Sequence, residues 1–317
     1  SLSVLTLSAT NRYTFTSTGD GQPNPPASTA QAAIDVILKR GSAISYGAFG
    51  ETLVDMKASG SVYSYDSRVN NSPGPGDSTG EGDVGSNTEV SLKNNTFING
   101  DVALGDAGGS EATLTQTGTP IVSGDSGADV DRVDPDPLGV VGGEYANNFT
   151  TYSASNDNGM ATGDGTPIAA NTVSLGNSET MTLSGKAGGA NYYFAGVTLN
   201  NGANLNIDTS AGPVNIYMTG GLEAKNGSGL NGTGLPTDFA IYSNSSSSLI
   251  FKHGSTFKGL VYAPLATIEM KNSADVFGAL WANTVDIKNS GELYYDVALK
   301  DALFSKDMQI SAWENVR

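Results

Sequence analysis

Residues 257–296 constrain the fold more than any other stretch. They read as two lines of one repeat. In the first, Thr256-Phe257-Lys258-Gly259-Leu260-Val261-Tyr262-Ala263-Pro264 leads into Ala266-Thr267-Ile268-Glu269-Met270-Lys271-Asn272-Ser273. In the second, Val276-Phe277-Gly278-Ala279-Leu280-Trp281-Ala282-Asn283 leads into Thr284-Val285-Asp286-Ile287-Lys288-Asn289-Ser290. Gly259 matches Gly278, Tyr262 matches Trp281 and Ile268 matches Ile287, each pair 19 residues apart. A short fixed period of this kind marks a solenoid. Each line holds two apolar runs broken by Gly, Asn, Ser or Pro, which reads as strand, turn, strand, turn. Equivalent residues recur one coil later, so like stacks on like. The expected fold is all-β, a right-handed parallel β-solenoid (β-helix).

Composition agrees with that expectation. The 317 residues include 41 Gly and 12 Pro, only 15% are charged, and turn formers and β-branched residues outnumber helix formers. A net charge of −16 repels phosphate backbones and anionic membranes, which argues against nucleic acid as a partner. The chain has no cysteine, which removes disulfides, thiolate metal sites and thiol chemistry. Such a hydrated acidic surface suits an extracellular protein.

Two segments depart from the repeat. Residues 1–41 are expected to hold the end of an apolar N-terminal helix, a linker broken at Pro23-Asn24-Pro25-Pro26, and a cap helix. Ser28-Thr29 as cap, Lys39-Arg40 in the last turn and Gly41 as stop support that helix. Residues 42–317 are the expected solenoid, with a long loop excursion at about 117–170. A further short helix is expected near Ala298 to Leu303. Two echoes place the repeat in the first third of the chain. Gly82-Asp83-Val84-Gly85 returns as Gly100-Asp101-Val102-Ala103, and Asn95-Thr96-Phe97-Ile98 resembles Ser255-Thr256-Phe257-Lys258.

Candidate chemistry is sparse. Asp125, Asp129, Asp131, Asp134 and Asp136 could supply oxygen ligands to Ca2+, although they lack EF-hand spacing and also read as a solvated acidic loop. No other cofactor is expected. His253 is the single histidine, so a catalytic triad or histidine metal site would have to use it; beside Gly254 it reads as a turn residue. With 32 acidic residues, carboxylate pairs arise without meaning. Asn-x-Ser/Thr sequons stand at Asn70, Asn94, Asn148, Asn226, Asn231 and Asn244. Thr-x-Thr, the pattern of a flat ice-binding face, recurs patchily, as at Thr14 with Thr16 and Thr113 with Thr115.

One ordered set of motifs points to a family. Val62-Tyr63-Ser64-Tyr65-Asp66-Ser67, the Gly82 to Asn87 run, Gly259-Leu260-Val261-Tyr262-Ala263-Pro264, Gly278-Ala279-Leu280-Trp281-Ala282, Tyr294-Tyr295-Asp296 and Ser311-Ala312-Trp313-Glu314 follow one another. Over about 42–317 the chain resembles the C-terminal β-solenoid domain of PilX-like pilus assembly proteins, which are bacterial type IV pilin-like proteins. The resemblance implies an N-terminal helix that anchors in the inner membrane and then packs in a filament core. Ser1 to Tyr13 is similar to the end of that helix, with the remainder cleaved or supplied by a second short pilin chain. It also implies a non-enzymatic extracellular structural subunit that self-assembles, exposes the acidic solenoid and adheres to a surface polysaccharide. The alternatives are a secreted carbohydrate-binding or carbohydrate-cleaving β-helix, or an ice-binding protein.

Overall fold

A computed structural model describes residues 2–7, 12–19, 30–40, 44–105, 112–130, 144–231, 234–301 and 308–316. The chain forms two compact units, Ser1–Ala43 with Leu303–Arg317, and Ile44–Ala302. Residues 303–317, expected in the solenoid, group with the N-terminal segment.

The first unit is an antiparallel sheet in which Leu2–Leu7 pairs with Arg12–Gly19, Arg12–Gly19 with Ala30–Arg40, and Ala30–Arg40 with Met308–Val316. The expected N-terminal helix remnant and cap helix are therefore strands. The expected caps at Ser28-Thr29 and Gly41 lie outside the described residues; Ile34, Val36 and Ile37 are β-branched, and two pairing strands outweigh a helix propensity of fractions of a kcal/mol per residue.

The second unit is the expected parallel β-solenoid, built from three parallel ladders. In the first, the spatial order is Thr113–Thr117, Glu89–Lys93, the 53–57 half of Ala48–Lys57, then 284–288, 267–271, Leu249–Lys252, Leu222–Ala224, Gly196–Leu199 and Thr172–Leu175. The second ladder runs from Ile121–Val122 through Ser61–Tyr65, Glu292–Asp296 and 256–259 to Thr180–Ser184. The third runs from Ser126–Val130 through Ala48–Lys57, 280–282 and 261–263 to Ala190–Phe194. Stacking is thus not in chain order. The coil at 48–65 meets the coil at 275–296, so residues 44–130 wind outward from the middle while residues 172–296 wind inward from the far end.

The core follows from strict alternation. Val54, Val285, Ile268 and Leu249 form one inward column; Met56, Ile287, Met270 and Phe251 form the next; all are 0% exposed. Each such side chain removed from water contributes about 1.5–3 kcal/mol. Corners between the first and second ladders take the left-handed conformation at Asn94, Asn95, Asn272, Ser273, Asn289 and Ser290, which explains the Asn-Ser punctuation in sequence. His253 occupies the same corner column at φ 56°.

Register refines the repeat. Gly259 pairs with Gly278 and Tyr262 with Trp281, but Ile268 pairs with Val285 and Met270 with Ile287. The corner Pro264-Leu265-Ala266 holds two residues more than its counterpart, so the offset changes from 19 to 17 across it. An even change preserves the inward face. Phe97 pairs with Ser61 and Ile98 with Val62, one position off the resemblance read from sequence; Ile98 points inward and Phe97 outward.

The first part of the expected excursion at 117–170, through Val130, is solenoid. Ile121–Val122 and Ser126–Val130 complete a last coil. Gln116 stands in line with Leu92, and Ser126 with Val102, so polar groups take two inward positions of this coil, while Leu114 and Val122 still pack on the core. A helix, α1 (Glu144–Ala154), follows. At the opposite end Thr162–Gly163 pairs antiparallel with Thr180–Ser184, and Met160, Ala161 and Ile168 pack on the core. The expected helix near 298 is a 3-10 turn, Val297–Asp301.

Candidate functional site

The three ladders present different outward surfaces. On the first, lysines 93, 57, 288, 271, 252 and 225 align on successive rungs beside a carboxylate column of Asp55, Asp286, Glu269 and Glu223. Lys57 Nζ lies 2.5 Å from Asp55 and 3.4 Å from Asp286, Lys93 lies 3.3 Å from Asp55, and Lys288 bridges Asp286 and Glu269. Hydrogen bonds from Lys252 and Lys225 hold the Glu223 carboxyl below its ordinary value. At Asp55, burial pushes upward and bonds from Lys57 and Lys93 overcome it. This face is a closed charge zipper.

On the third ladder Phe49, Trp281, Tyr262, Tyr242 and Tyr217 stack on successive rungs. Ring centroids are 4.3 Å apart for Phe49–Trp281, 5.9 Å for Trp281–Tyr262 and 5.2 Å for Tyr242–Tyr217. Helix α1 covers part of this ladder with Tyr145, Phe149 and Tyr152, spaced to share one helix face. Trp281 also donates from Nε1 to Glu51 Oε1 at 2.6 Å.

The second ladder has two zones. In the centre, Tyr63, Tyr294 and Phe277 stack at 5.3 and 4.9 Å, with Lys258 Nζ 5.3 Å from the Phe277 ring and donating to the Asn71 carbonyl at 2.7 Å. The rings stack face to face along the ladder, so their edges face solvent. A sugar platform needs ring faces outward, and this stack offers edges instead. Beside the stack, Asp275 and Glu292 occupy adjacent rungs, and Tyr294 donates to Glu292 at 2.6 Å. Burial, then the Glu292 charge, push the Asp275 pKa up to about 6. A raised carboxyl pKa contributes stability below its unfolded value and loses it as pH climbs through the folded one. Asp275→Asn is therefore expected to stabilise the solenoid at pH 7 by about 1 kcal/mol, allowing for solvent screening, with the gain vanishing below about pH 4. Melting of variant and wild type at both pH values checks this; an equal gain at both would contradict it.

Toward the end of the 172–296 arm the second ladder becomes a neutral grid. Thr180 pairs with Asn204 and Thr182 with Asn206, and the charged Asp208, opposite Ser184, borders the grid. These side chains point outward, while Met181, Leu183 and Leu205 beneath them are 0% exposed. The strand spacing puts neighbours about 4.8 Å apart across rungs and about 6.7 Å apart along a strand.

The residues singled out in sequence fall in separate places. His253 lies in the corner column, its Nε2 3.2 Å from Asn272 Nδ2, while Asn289 donates to Asn272 Oδ1 at 2.9 Å. Asp125 continues a corner ladder in which the Asp101 amide donates to Asp83 Oδ1 at 2.9 Å and the Asp125 amide to Asp101 Oδ1 at 2.8 Å. Gly124 permits this, since a Cβ there would lie 2.0 Å from Asp101 Oδ1. Asp129 lies in the strand Ser126–Val130. Asp131, Asp134 and Asp136 lie outside the described residues. Among the described residues no three metal-ligating side chains converge. Of the sequon asparagines, Asn231 is 1% exposed, bonded to the Lys258 carbonyl, and closed to a glycan. Sequence reasoning passed over the charge zipper and the neutral grid. Lys57, Lys288 and Lys271 each follow an acidic residue by two, which was the visible signal.

A protein-family model described as "Domain of unknown function (DUF7305)" matches residues 147–302, just under half of the chain. No curated protein matches the chain. Solved structures similar to it include an ice-binding protein from an Antarctic biological consortium, at 16% identity and TM-score 0.42, covering 80% of this chain and 89% of that one. An ice-binding protein from an Arctic yeast is similar at 15% identity and TM-score 0.41, covering 81% and 94%. The ice-binding protein of Shewanella frigidimarina is similar at 14% identity and TM-score 0.32, covering 80% and 95%. Among the described residues no helix is long and apolar enough to cross a membrane.

Proposed function

We propose that the protein is a non-enzymatic extracellular β-solenoid that acts through its surface, and that it binds ice through the grid of Thr180, Thr182, Asn204 and Asn206. The observation that carries this reading is the register-matched, uncharged set of hydroxyls and amides fixed on a rigid ladder. Ice presents ordered donors and acceptors, and groups already held in a regular array give up little conformational freedom on meeting them. Threonine suits the task because its branched side chain is stiff. The zippered first ladder is unsuited, because its ions hold their own water. The His253 corner and the edge-on aromatic stack give no support to catalysis.

The test is a thermal hysteresis measurement beside partitioning into a growing ice front. The wild type is expected to show a freezing gap. Thr182→Lys with Asn206→Lys is expected to reduce it severalfold at an unchanged melting temperature, since both side chains point to solvent. A wild type without a gap overturns the reading.

A second reading, the pilus-like filament subunit that the PilX-like resemblance implies, is favoured by one specific feature. The solenoid's first strand and last coil lie on adjacent central rungs, so the chain enters and leaves the solenoid at one place, as a rod carried on a single stalk would. Ordered fibres in electron micrographs of the purified protein support it; uniform single particles at all concentrations count against it.

A further inference from the structure

The end of the 172–296 arm is closed by a short segment that takes the place of a further rung. Thr162–Gly163 pairs antiparallel with Thr180–Ser184, with Thr162 opposite Thr182 and Gly163 opposite Met181. The Asp164 amide donates to the Thr180 carbonyl at 2.9 Å, and the Thr180 amide donates to Asp164 Oδ2 at 2.9 Å. On the third ladder, side chains complete the closure. The Asn191 amide donates to Asp157 Oδ2 at 2.8 Å, and the Asp157 amide to the Asn191 carbonyl at 2.9 Å. The Tyr193 amide donates to Asn158 Oδ1 at 3.0 Å, and Asn158 Nδ2 to the Tyr193 carbonyl at 2.9 Å. Residues 157–164 thus meet backbone groups of the last rung that another coil would otherwise take. Met160 and Ala161 pack on the core and anchor the segment from below.

Residues directly opposite each other in an antiparallel pair carry their side chains on the same face. Thr182 faces outward, so Thr162 does too, and it is exposed. It stands in line with Thr182 and Asn206, one strand spacing beyond the last coil. We infer that Thr162 is a further contact residue of the candidate ice-binding grid, supplied by the capping segment rather than by a coil. This inference rests on the ice-binding reading of that grid. The row Thr162, Thr182, Asn206 spans two strand spacings, about 9.6 Å, where the coils alone give about 4.8 Å. It is uncharged along its length. The neighbouring carboxylates, Asp164 and Asp208, stand at its borders, and Asp164 is turned onto the Thr180 amide. The row has no room to grow in the other direction. Asn231 follows Leu230, which pairs with Leu205, so it stands opposite Asn206; it is 1% exposed and its side chain donates to the Lys258 carbonyl at 2.8 Å. The capped end is therefore where the array widens. Thr162 suits that role, because its side chain is stiff and ladder bonds on both sides of the pair fix its strand.

Thermal hysteresis of single variants tests the assignment. Thr162→Lys is expected to reduce the freezing gap severalfold, with an unchanged melting temperature and a Thr180 amide still protected from hydrogen exchange. Thr162→Tyr, uncharged and a good strand former, should reduce it as well, because the bulky ring holds ice away from the row. Ser174→Lys is the control. Ser174 is exposed at the same end of the arm, on the first ladder, and its variant should keep the wild-type gap. A wild-type gap in Thr162→Tyr, or in a Thr162→Lys protein with an intact cap, overturns the role of Thr162. If the Thr182→Lys, Asn206→Lys protein has meanwhile lost its gap, the four-residue grid stands without it. An equal loss in Ser174→Lys also overturns the assignment, since any change near this end would then act alike. A wild type with no gap overturns the grid reading and this inference together.

Discussion

Gly278→Val is expected to lower the melting temperature of the solenoid by roughly 8–16 °C, the equivalent of about 4 kcal/mol in a domain of this size. Gly278 has φ +139°, and a Cβ on it would lie 1.9 Å from the Gly259 carbonyl oxygen. The obstacle is the backbone of the adjacent rung, so rotamer changes cannot relieve it. Moving it would open the 259/278 pairing, which sits between Phe257–Val276 and Leu260–Ala279 in the central rungs. A β-branched side chain adds its own penalty at positive φ. Gly76→Ala is the matched control, because nothing lies within 4 Å of a Cβ there. It should melt within about 0.5 kcal/mol of wild type. Similar melting of the two variants would mean that the central register is wrong.

Tyr145→Ala carries the second largest expected effect, about 3–5 kcal/mol. Tyr145 is 3% exposed, packs edge-on against Tyr242 and Tyr262, and donates to the Ser243 carbonyl at 2.5 Å. Its loss leaves α1 held by Phe149 and Tyr152 on Tyr217. Asn147, Thr150 and Thr151 are poor helix formers, and Thr151 bonds back to the Asn147 carbonyl, so α1 has little stability away from the ladder. The variant should lose hydrogen-exchange protection in 144–154 and gain dye-binding apolar surface before the solenoid melts. Asn147→Ala, on an exposed position of the same helix, should leave both unchanged. Protection that survives Tyr145→Ala would show that the ring is not what holds the helix.

The solenoid was legible because its register is written in the sequence. Gly259 and Gly278, Tyr262 and Trp281, and Val84 and Val102 pair in space as they match in sequence. What the sequence hid is the order in which coils stack. Lys57 and Lys288 carry no local mark that they are neighbours, since the coils at 48–57 and 275–288 are similar to all the others. The last coil was hidden because Gln116 and Ser126 break the apolar alternation where the column ends. Helix α1 was hidden because its face is aromatic and its other residues favour turns. The strands at 30–40 were misread because cap signals are local and their pairing partners lie far along the chain. The candidate grid was legible only in part. Thr180, Thr182, Asn204 and Asn206 alternate with apolar residues, but their alignment depends on a register of 24 that no repeated motif announces.

The junction between the coils at 48–65 and 275–296 also sets a timetable. Thr52 and Asn283, which bond across it at 2.8 Å, are separated by 231 residues of chain. At the pace of synthesis, about 5–20 residues per second, the outer edge of Ala48–Lys57 waits roughly 12–46 s for its partner to be made. Throughout that interval a finished half carries an open parallel edge. During synthesis the nascent chain must therefore be shielded from its neighbours, and crowded production is when misassembly would be most frequent.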